Sequence, residues 1–217
     1  MESRLEHRVT EASVFIVSAP SGAGKTSLVR ALLESVPQIT VAVSHTTRLI
    51  RSGERDGVNY HFIKPAAFQR MVAEDAFLEH AQVFDHWYGT SRLAVENERA
   101  QGRDVILEID WQGARQIRER LPQCASVFIL PPSLETLHSR LTQRGEDEAA
   151  VIERRMRDAV NEISHYAEYD YLVVNDDFGK ALSDLQAIVR ARRLRCSVQR
   201  HVLAHTLRSL MAQSPLL

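Results

Sequence analysis

Uninterrupted apolar runs alternate with helical patterns along most of the chain. The runs lack polar alternation, which indicates strands covered on both faces of a sheet. Five strands are predicted, at Val14–Ser18, Thr40–Ser44, Asp104–Ile109, Ser126–Leu130 and Tyr171–Val174. Helices are predicted after Gly24, where Leu28, Ala31 and Leu32 recur at helical spacing, and at Gln112–Arg120, Leu134–Arg144, Val151–Ala167 and Lys180–Leu194. This alternation favours an α/β fold with right-handed crossovers between parallel strands.

Two stretches interrupt the alternation. Between Ser44 and Arg92, short strand-like pieces surround a helical pattern that begins near Pro65, which predicts an inserted subdomain. The segment QRGEDEAAVIERRM is charged and contains a glycine between two helices, a composition expected of a mobile lid. The length of 217 residues suits one domain, 1–217, with a sizeable core.

Composition is typical of a globular protein, with 44% hydrophobic and 25% charged residues and a formal net charge of −1. This balance does not favour nucleic acid as the main partner. No apolar run approaches 18 residues, and the N-terminal MESRLEHRVTEAS is polar, so neither a membrane span nor a secretory signal is expected. Two distant cysteines, Cys124 and Cys196, indicate neither a disulfide framework nor a metal site, and a cytoplasmic location is predicted.

One basic concentration lies near the C-terminus, at Arg190, Arg192, Arg193, Arg195 and Arg200. Apolar residues are interspersed at helical intervals, so a solvated helix face explains the pattern. An electrostatic patch for a polyanion is the alternative.

The segment VFIVSAPSGAGKTSLVRALLESV predicts a strand, a glycine loop and a helix. Unpaired N–H groups and the helix dipole favour an anion at such a helix start, and Gly22 and Gly24 let the main chain close around a polyphosphate. Lys25 supplies a charge for the β and γ phosphates, and the Thr26 hydroxyl suits magnesium. The phosphate-loop motif departs only at its first position, Ala19. A glycine-rich turn between two packed elements is the alternative.

A second anion site is predicted after the strand that ends at Ser44. Arg48, Arg51 and the hydroxyls of Ser44 and Tyr60 can bind a phosphate, because guanidinium groups match phosphate oxygens bidentately. A solvated basic loop is the alternative.

A carboxylate in an apolar run, Glu79, predicts recognition of a base. Guanine presents two adjacent donors that an ionised carboxylate accepts, Thr90 can donate to the guanine oxygen, and Tyr88 can supply ring or hydroxyl contact. Glu79 could instead occupy the polar face of a strand. Asp110, at the end of VILEID, suits either magnesium or the cap of the following helix.

Six segments resemble, in order and spacing, the signature segments of bacterial guanylate kinase: SAPSGAGKTSL, VSHTTRLIRSGERDGVNYHF, FLEHAQVFDHWYGTSR, LEIDWQGARQIR, FILPPS and HYAEYDYLVVNDDF. The similarity runs from about Val14 to Arg200. It implies a P-loop kinase fold: a five-stranded parallel sheet flanked by helices, with a GMP-binding insertion at about 45–92 and a lid at about 135–157. It also implies transfer of the ATP γ-phosphoryl group to GMP, giving ADP and GDP for guanine nucleotide synthesis and recycling.

The resemblance also implies roles for the matching residues. ATP contacts are implied for Ser21, Gly22, Ala23, Gly24, Lys25, Thr26, Ser27 and Asn175. GMP contacts are implied for Ser44, Arg48, Arg51, Tyr60, Glu79, Tyr88, Gly89, Thr90 and Asp110. Catalytic roles are implied for Lys25, Arg48, Arg144 and Arg155, with Thr26 and Asp110 at the metal. The sequence leaves open whether Arg154 or Arg155 faces the site, and Arg140 is a further candidate.

Two rival functions stay open at this point. A kinase for AMP, dTMP or UMP would need a different base pocket, and Glu79 with Thr90 favours guanine. A guanylate-kinase-like binding module would have a degraded phosphate loop, whereas Gly22, Gly24 and Lys25 are present here. The expected ligands are therefore ATP and GMP, with dGMP also accepted and Mg²⁺ as cofactor. Neither nucleic acid nor a membrane is an expected partner, and no oligomeric state is indicated.

Overall fold

The computed structural model describes residues 12–83, 85–143 and 149–212. Within them the strands are β1 (Val14–Ser18), β2 (Ile39–Val41), β3 (His45–Thr46), β4 (His61–Phe62), β5 (Phe77–Val83), β6 (His86–Ser91), β7 (Asp104–Glu108), β8 (Ala125–Leu130) and β9 (Tyr171–Val174). The helices are α1 (Lys25–Ser35), α2 (Pro65–Ala73), α3 (Arg92–Ala100), α4 (Trp111–Arg120), α5 (Leu134–Gln143), α6 (Ala149–Ser164), α7 (Phe178–Arg193), α8 (Cys196–Val202) and α9 (Ala204–Ala212). A 3₁₀ helix spans Tyr166–Glu168.

The main sheet has five parallel strands in the order β2-β7-β1-β8-β9, which confirms the predicted fold class. Alternate residues of the central strand β1 pack on opposite faces. Phe15 and Val17 join a buried cluster with residues of α1 and α7, and Ile16 joins a second cluster with residues of α4. Strands covered on both faces carry apolar residues at every position, which explains the uninterrupted runs.

The predicted strand at Thr40–Ser44 is wrong in its second half, because β2 ends at Val41. The Ala42 N–H still donates to the Ile106 carbonyl at 3.0 Å. Two residues later, the Ser44 carbonyl accepts from the His61 N–H at 2.9 Å. The apolar run is therefore shared between two sheets.

The last strand, β9, departs from the expectation of two covered faces. Val173 is buried with residues of α7, whereas Leu172 and Val174 are 49% and 48% exposed. β9 lies at the edge of the sheet, and α7 packs on the face that carries Val173. The helix predicted at Val151–Ala167 also ends early, at Ser164, where the 3₁₀ turn takes over.

Residues between Ser44 and Arg92 form a second, four-stranded sheet in the order β4-β3-β6-β5, with α2 beginning at Pro65 as predicted. Its small core is aromatic, and the rings of Phe68 and Phe77 stack with centroids 4.7 Å apart. The Gln116 side chain joins this sheet to α4 by accepting from the His80 N–H at 3.1 Å and donating to the His80 carbonyl at 2.8 Å.

The carboxyl ends of the parallel strands lie at one edge of the main sheet, where open α/β folds bind ligands. The glycine loop follows β1, and Asp110 and Asn175 follow β7 and β9. The opposite edge carries the start of β1 and the turn between α4 and β8. None of the helices described here has the length and apolarity that a membrane crossing needs.

Candidate active site

The glycine loop has the backbone that its sequence predicts. Gly22 and Gly24 have φ angles of 93° and 94°, a left-handed conformation that glycine adopts without strain. No side chain caps the start of α1, so the first N–H groups of this helix remain available to a ligand. The loop therefore offers a binding surface for an anion.

Asn175 holds the glycine loop from the end of β9. Its side-chain Nδ2 donates to the Ala23 carbonyl at 2.7 Å, and a Cβ atom at Gly24 would lie 2.3 Å from that nitrogen. The Arg140 Nη2 in turn donates to the Asn175 carbonyl at 3.1 Å. Gly24, Arg140 and Asn175 line a cavity of about 410 Å³ together with Phe178.

A larger cleft of about 640 Å³ extends from the glycine loop to the second sheet. Its lining from the predicted donor site comprises Ser21, Gly22, Gly24, Lys25, Thr26 and Ser27. Its lining from the predicted acceptor site comprises Ser44, Arg48, Arg51, Tyr60, Glu79, Tyr88 and Asp110. Both predicted sites thus open into one continuous space.

Arg48 is held in place by a carboxylate that sequence reasoning missed. Its Nη1 and Nη2 donate to the two oxygens of Glu54 at 2.9 and 2.8 Å, and its guanidinium carbon lies 5.4 Å from the centre of the Tyr60 ring. The hydrogen bonds from Arg48 hold the pKa of Glu54 below its usual value. The Arg51 backbone N–H also donates to Glu54, at 2.8 Å, so one carboxylate organises the whole basic loop.

Glu79 is buried in the wall of the cleft and is 3% exposed, so the alternative of a solvated strand face is wrong. The Thr90 hydroxyl donates to Glu79 Oε1 at 2.5 Å, and the Ser44 hydroxyl lies 3.3 Å from that of Thr90. Burial raises the pKa of Glu79 to about 7; the Thr90 hydrogen bond opposes this rise, and the charge of Asp110 adds to it.

Asp110 caps α4, as the alternative interpretation expects, and it also lines the cleft. Its Oδ1 accepts from the Gly113 N–H at 2.9 Å, and its Oδ2 accepts from Gln112 Nε2 at 3.1 Å. A Cβ atom at Gly113 would lie 2.6 Å from Glu79 Oε2. Glycine at this position therefore allows the first turn of α4 to approach the buried carboxylate.

Comparisons with known proteins agree with this geometry. The family model described as guanylate kinase matches residues 11–192. The guanylate kinase of Alkalilimnicola ehrlichii is 63% identical over 92% of this chain and 98% of its own. That of Methylococcus capsulatus is 57% identical over 88% of this chain and 93% of its own. The crystal structure of guanylate kinase from Anaplasma phagocytophilum superposes with a TM-score of 0.72 at 31% identity, over 90% of this chain and 95% of that one.

The chain belongs to the guanylate kinase family. It is therefore an enzyme of the nucleoside monophosphate kinase class, and the reaction of the family is the phosphorylation of GMP. The AMP, dTMP and UMP alternatives and the binding module are not what the comparisons support.

Several residues predicted for this guanylate kinase lie outside the cleft or beyond the described part. Ala23 is fully buried within the loop and lines neither of the two cavities. Gly89 packs against Phe77, which a Cβ atom at that position would approach to 3.0 Å. Thr90 is also buried and reaches the cleft through Glu79. Arg144 lies outside the described residues.

The lid arginines differ in exposure. Arg155 is half-buried in α6, whereas the adjacent Arg154 is exposed. Neither side chain lines the two cavities described above. Arg140, the weaker candidate in the sequence, lines the smaller cavity beside Asn175.

Glu162 is a second cleft carboxylate that sequence reasoning missed. It reaches the cleft from α6, and its Oε2 is buried with no hydrogen-bond partner among the described residues. Burial raises the pKa of Glu162 to about 7; nearby Lys25 lowers it, and Asp110 and Asp158 raise it. A single glutamate in a charged helix carries no sequence signal that distinguishes it from solvated neighbours.

Proposed function

We propose that the cleft transfers the γ-phosphoryl group of ATP to GMP, with the glycine loop as donor site and the second sheet as acceptor site. The observation that carries the proposal is the single 640 Å³ cleft, whose wall includes both Lys25 and Arg48. In-line transfer requires the two phosphates to share such a space.

On the donor side, the main chain from Ser21 to Ser27 holds the ATP phosphates, and Lys25 places its ammonium at the β and γ oxygens. The smaller cavity beside Asn175 and Arg140 takes the adenosine portion. Arg155, and Arg144 beyond the described residues, are proposed to approach the transferred group from the lid.

On the acceptor side, Arg48 and Arg51 bind the GMP phosphate together with the hydroxyls of Ser44 and Tyr60. Glu79 accepts from the two guanine donors. Thr90 has one hydroxyl proton, which it donates to Glu79 Oε1 at 2.5 Å, so Thr90 positions that carboxylate and the predicted contact from Thr90 to the guanine oxygen is not retained. Tyr88 and Asp110, which line the cleft, complete the acceptor pocket, whereas Gly89 packs against Phe77 outside it. No side chain is assigned to the ribose 2′ position, so dGMP is proposed as a second acceptor.

The residues present also fit Mg²⁺, which prefers oxygen ligands and needs only one or two carboxylates beside substrate phosphates and waters. Asp110 accepts two hydrogen bonds, at 2.9 and 3.1 Å, which leaves lone pairs on an ionised carboxylate. The Thr26 hydroxyl lines the same cleft. Thr26 and Asp110 would hold the ion, and when bound it neutralises charge on the phosphates.

The chemistry needs no general base, because the acceptor is a phosphate oxygen that is already ionised at neutral pH. The residues of the chain act by position and charge: Lys25 and the lid arginines stabilise negative charge on the donor, and Arg48 fixes the acceptor in line. The insertion and lid exclude water, which would otherwise hydrolyse ATP. We place this activity in the cytoplasm, where nucleotide pools supply both substrates.

The test is an ADP-release assay with ATP and Mg²⁺ against GMP, dGMP, AMP, UMP and dTMP, run on the wild type and on Lys25→Ala. We expect turnover with GMP and dGMP, little with the others, and a loss of about two orders of magnitude or more in kcat for Lys25→Ala. Lys180→Ala is the matched control, since Lys180 is an exposed lysine in the first turn of α7. Near-normal turnover by Lys25→Ala would exclude the proposed donor site, and preferred turnover of another base would exclude the proposed guanine pocket.

A further inference from the structure

A third cavity, of about 360 Å³, lies where the strands of the main sheet begin, at the end opposite the nucleotide cleft. It is bounded by the start of β1, the turn between α4 and β8, the end of α7 and the helix α8. None of the residues that line this cavity is proposed to take part in the kinase reaction. The family model ends at residue 192, so part of the cavity wall lies beyond the matched segment.

Four arginines from four different elements line the cavity: Arg99, Arg120, Arg192 and Arg200. Arg192 belongs to the C-terminal basic cluster, for which an electrostatic patch for a polyanion was one interpretation of the sequence. In the structure Arg192 is buried, with 8% exposure. Its Nη2 donates to the Gln123 carbonyl, while its buried Nε has no partner. Within the part of the chain that the structure describes, no ion pair neutralises Arg192.

Arg120 already has partners, because its Nη1 donates to the Phe77 carbonyl at 2.7 Å and lies 3.4 Å from Asp75 Oδ1. Two other carboxylates of this region are engaged elsewhere. Asp104 accepts from Arg193 Nε at 2.7 Å and from the Ser13 N–H at 2.6 Å. Asp170 accepts from the N–H and hydroxyl of Ser126, each at 2.8 Å. Burial lowers the pKa of the Arg192 guanidinium, and the charge of Arg195 lowers it further. Among the described residues, Arg99, Arg192 and Arg200 have no carboxylate partner, so the cavity carries excess positive charge, and the buried charge of Arg192 is costly until an anion neutralises it.

Shape and chemistry narrow the class of ligand. Val14, Leu121 and Pro122 form apolar parts of the wall of this half-open cavity, and its volume of about 360 Å³ suits a small molecule better than a nucleic acid strand. A carboxylate is planar and matches one guanidinium fork, whereas a phosphate presents oxygens in several directions and can accept from arginines on different elements. Two linked phosphates offer more oxygens than one to the three arginines that lack a carboxylate partner among the described residues.

We propose that this cavity binds a small ligand with a diphosphate group, at a site separate from the nucleotide cleft. Arg192 and Arg200 are the main phosphate contacts, with Arg99 beside them. Arg200 is exposed and Arg192 is buried, so together they reach the ligand from the mouth and the floor of the cavity. This site is independent of the kinase reaction and does not rest on the residues proposed for it.

The experiment is calorimetric titration of inorganic pyrophosphate into the full chain, without Mg²⁺ and with saturating ADP and GMP to fill the cleft. The test variants are Arg200→Glu and Arg192→Met. The matched control is Arg190→Glu, an exposed arginine on α7 that does not line the cavity and produces the same change of net charge as Arg200→Glu. GMP kinase activity of each variant reports that it has folded.

We expect one pyrophosphate per chain in the wild type and in Arg190→Glu. For Arg200→Glu we expect affinity at least about tenfold weaker, from the loss of a charge-assisted contact and the added repulsion. Arg192→Met gives the same loss if it folds, and Arg200→Glu decides alone if it does not. Absence of binding in the wild type, or equal weakening by Arg190→Glu and Arg200→Glu, would overturn the proposal.

Discussion

In the proposed acceptor site, Glu79 is a buried carboxyl that must be ionised to accept from both guanine donors. Its pKa is raised to about 7, mainly by burial, so this carboxyl titrates near neutral pH in the unliganded protein. The folded state therefore binds this proton more tightly than the unfolded chain. The stability that this adds is fully present below the unfolded pKa near 4.5 and is lost as the pH rises through about 7.

The same titration predicts that GMP binding depends on pH. Guanine favours the ionised carboxylate, so binding must displace the proton below the pKa. We expect GMP affinity to fall by up to about tenfold for each pH unit below the pKa of Glu79, and to level off above it. Equilibrium titration between pH 5.5 and 8.5 measures this.

Glu79→Gln is the control, because the GMP phosphate itself has a pKa near 6. In the variant, GMP affinity still depends on the ionisation of the GMP phosphate but no longer on a carboxyl at position 79. The difference between the pH curves of wild type and variant is therefore due to Glu79. We expect weaker GMP binding with a shallower pH dependence. Parallel curves for the two proteins would contradict the assignment of Glu79 to the base.

Residues with a chemical signature could be assigned to the cleft from the sequence, and those without one could not. Lys25 and Glu79 stood out because a glycine loop or an apolar run surrounds each of them. Glu54 and Glu162 resemble ordinary solvated acids in charged segments, and only the fold brings them to Arg48 and Lys25. Their roles depend on tertiary proximity, which spacing along the chain does not encode.

At the scale of elements, the first turn of α4 joins three features of the proposed acceptor site. Asp110 caps the helix, Gly113 donates to that cap, and the absence of a side chain at Gly113 leaves room for Glu79. The cap and the glycine are compatible with a good helix start, so local sequence and site geometry agree here.

Gly113→Ala is expected to damage GMP recognition while the fold persists. The new Cβ would lie 2.6 Å from Glu79 Oε2, so the carboxylate must move away from its place in the pocket. We expect the KM for GMP to rise about tenfold or more, since small displacements in a positioned site have large effects. The KM for ATP should stay within about twofold, because the donor loop lies on another element. Steady-state kinetics with each substrate varied in turn measures both.

Gly179→Ala is the matched control, as Gly179 also lies in a first helical turn and a Cβ there meets its nearest neighbour at 3.4 Å. It should leave both KM values unchanged. An unchanged KM for GMP in Gly113→Ala would show that Glu79 does not need its observed position.

The types of the elements agree well with the prediction from the hydrophobic pattern. Their boundaries agree where all residues of an apolar run belong to one sheet. β9 matches its predicted bounds, and β1 does as well, since the glycine loop ends it. β2 was overpredicted because Ala42 to Ser44 keep an apolar pattern while the chain passes into another sheet. A hydrophobic pattern predicts that a segment is buried, but it does not predict which sheet or helix covers that segment.

At the scale of the whole molecule, the two cavities lie at opposite ends of the parallel strands of the main sheet. The nucleotide cleft occupies the carboxyl edge, and α8 lies against the arginine-lined cavity at the other edge. The family model ends at residue 192, before α8 and α9, and neither helix contributes a buried residue. Catalysis and the core should therefore not depend on these helices.

A chain that ends at Arg195 tests this division. Because α8 and α9 bury no side chain, we expect unfolding free energy to fall by only about 1–2 kcal/mol, measured by urea denaturation. The value of kcat/KM for GMP should remain within about threefold of the full chain, since distant sites act independently. Pyrophosphate binding should be lost, because Arg200 and Val198 are removed from the cavity wall. A folded truncation with a tenfold loss of kcat/KM would instead show that the C-terminal helices support the cleft across the sheet.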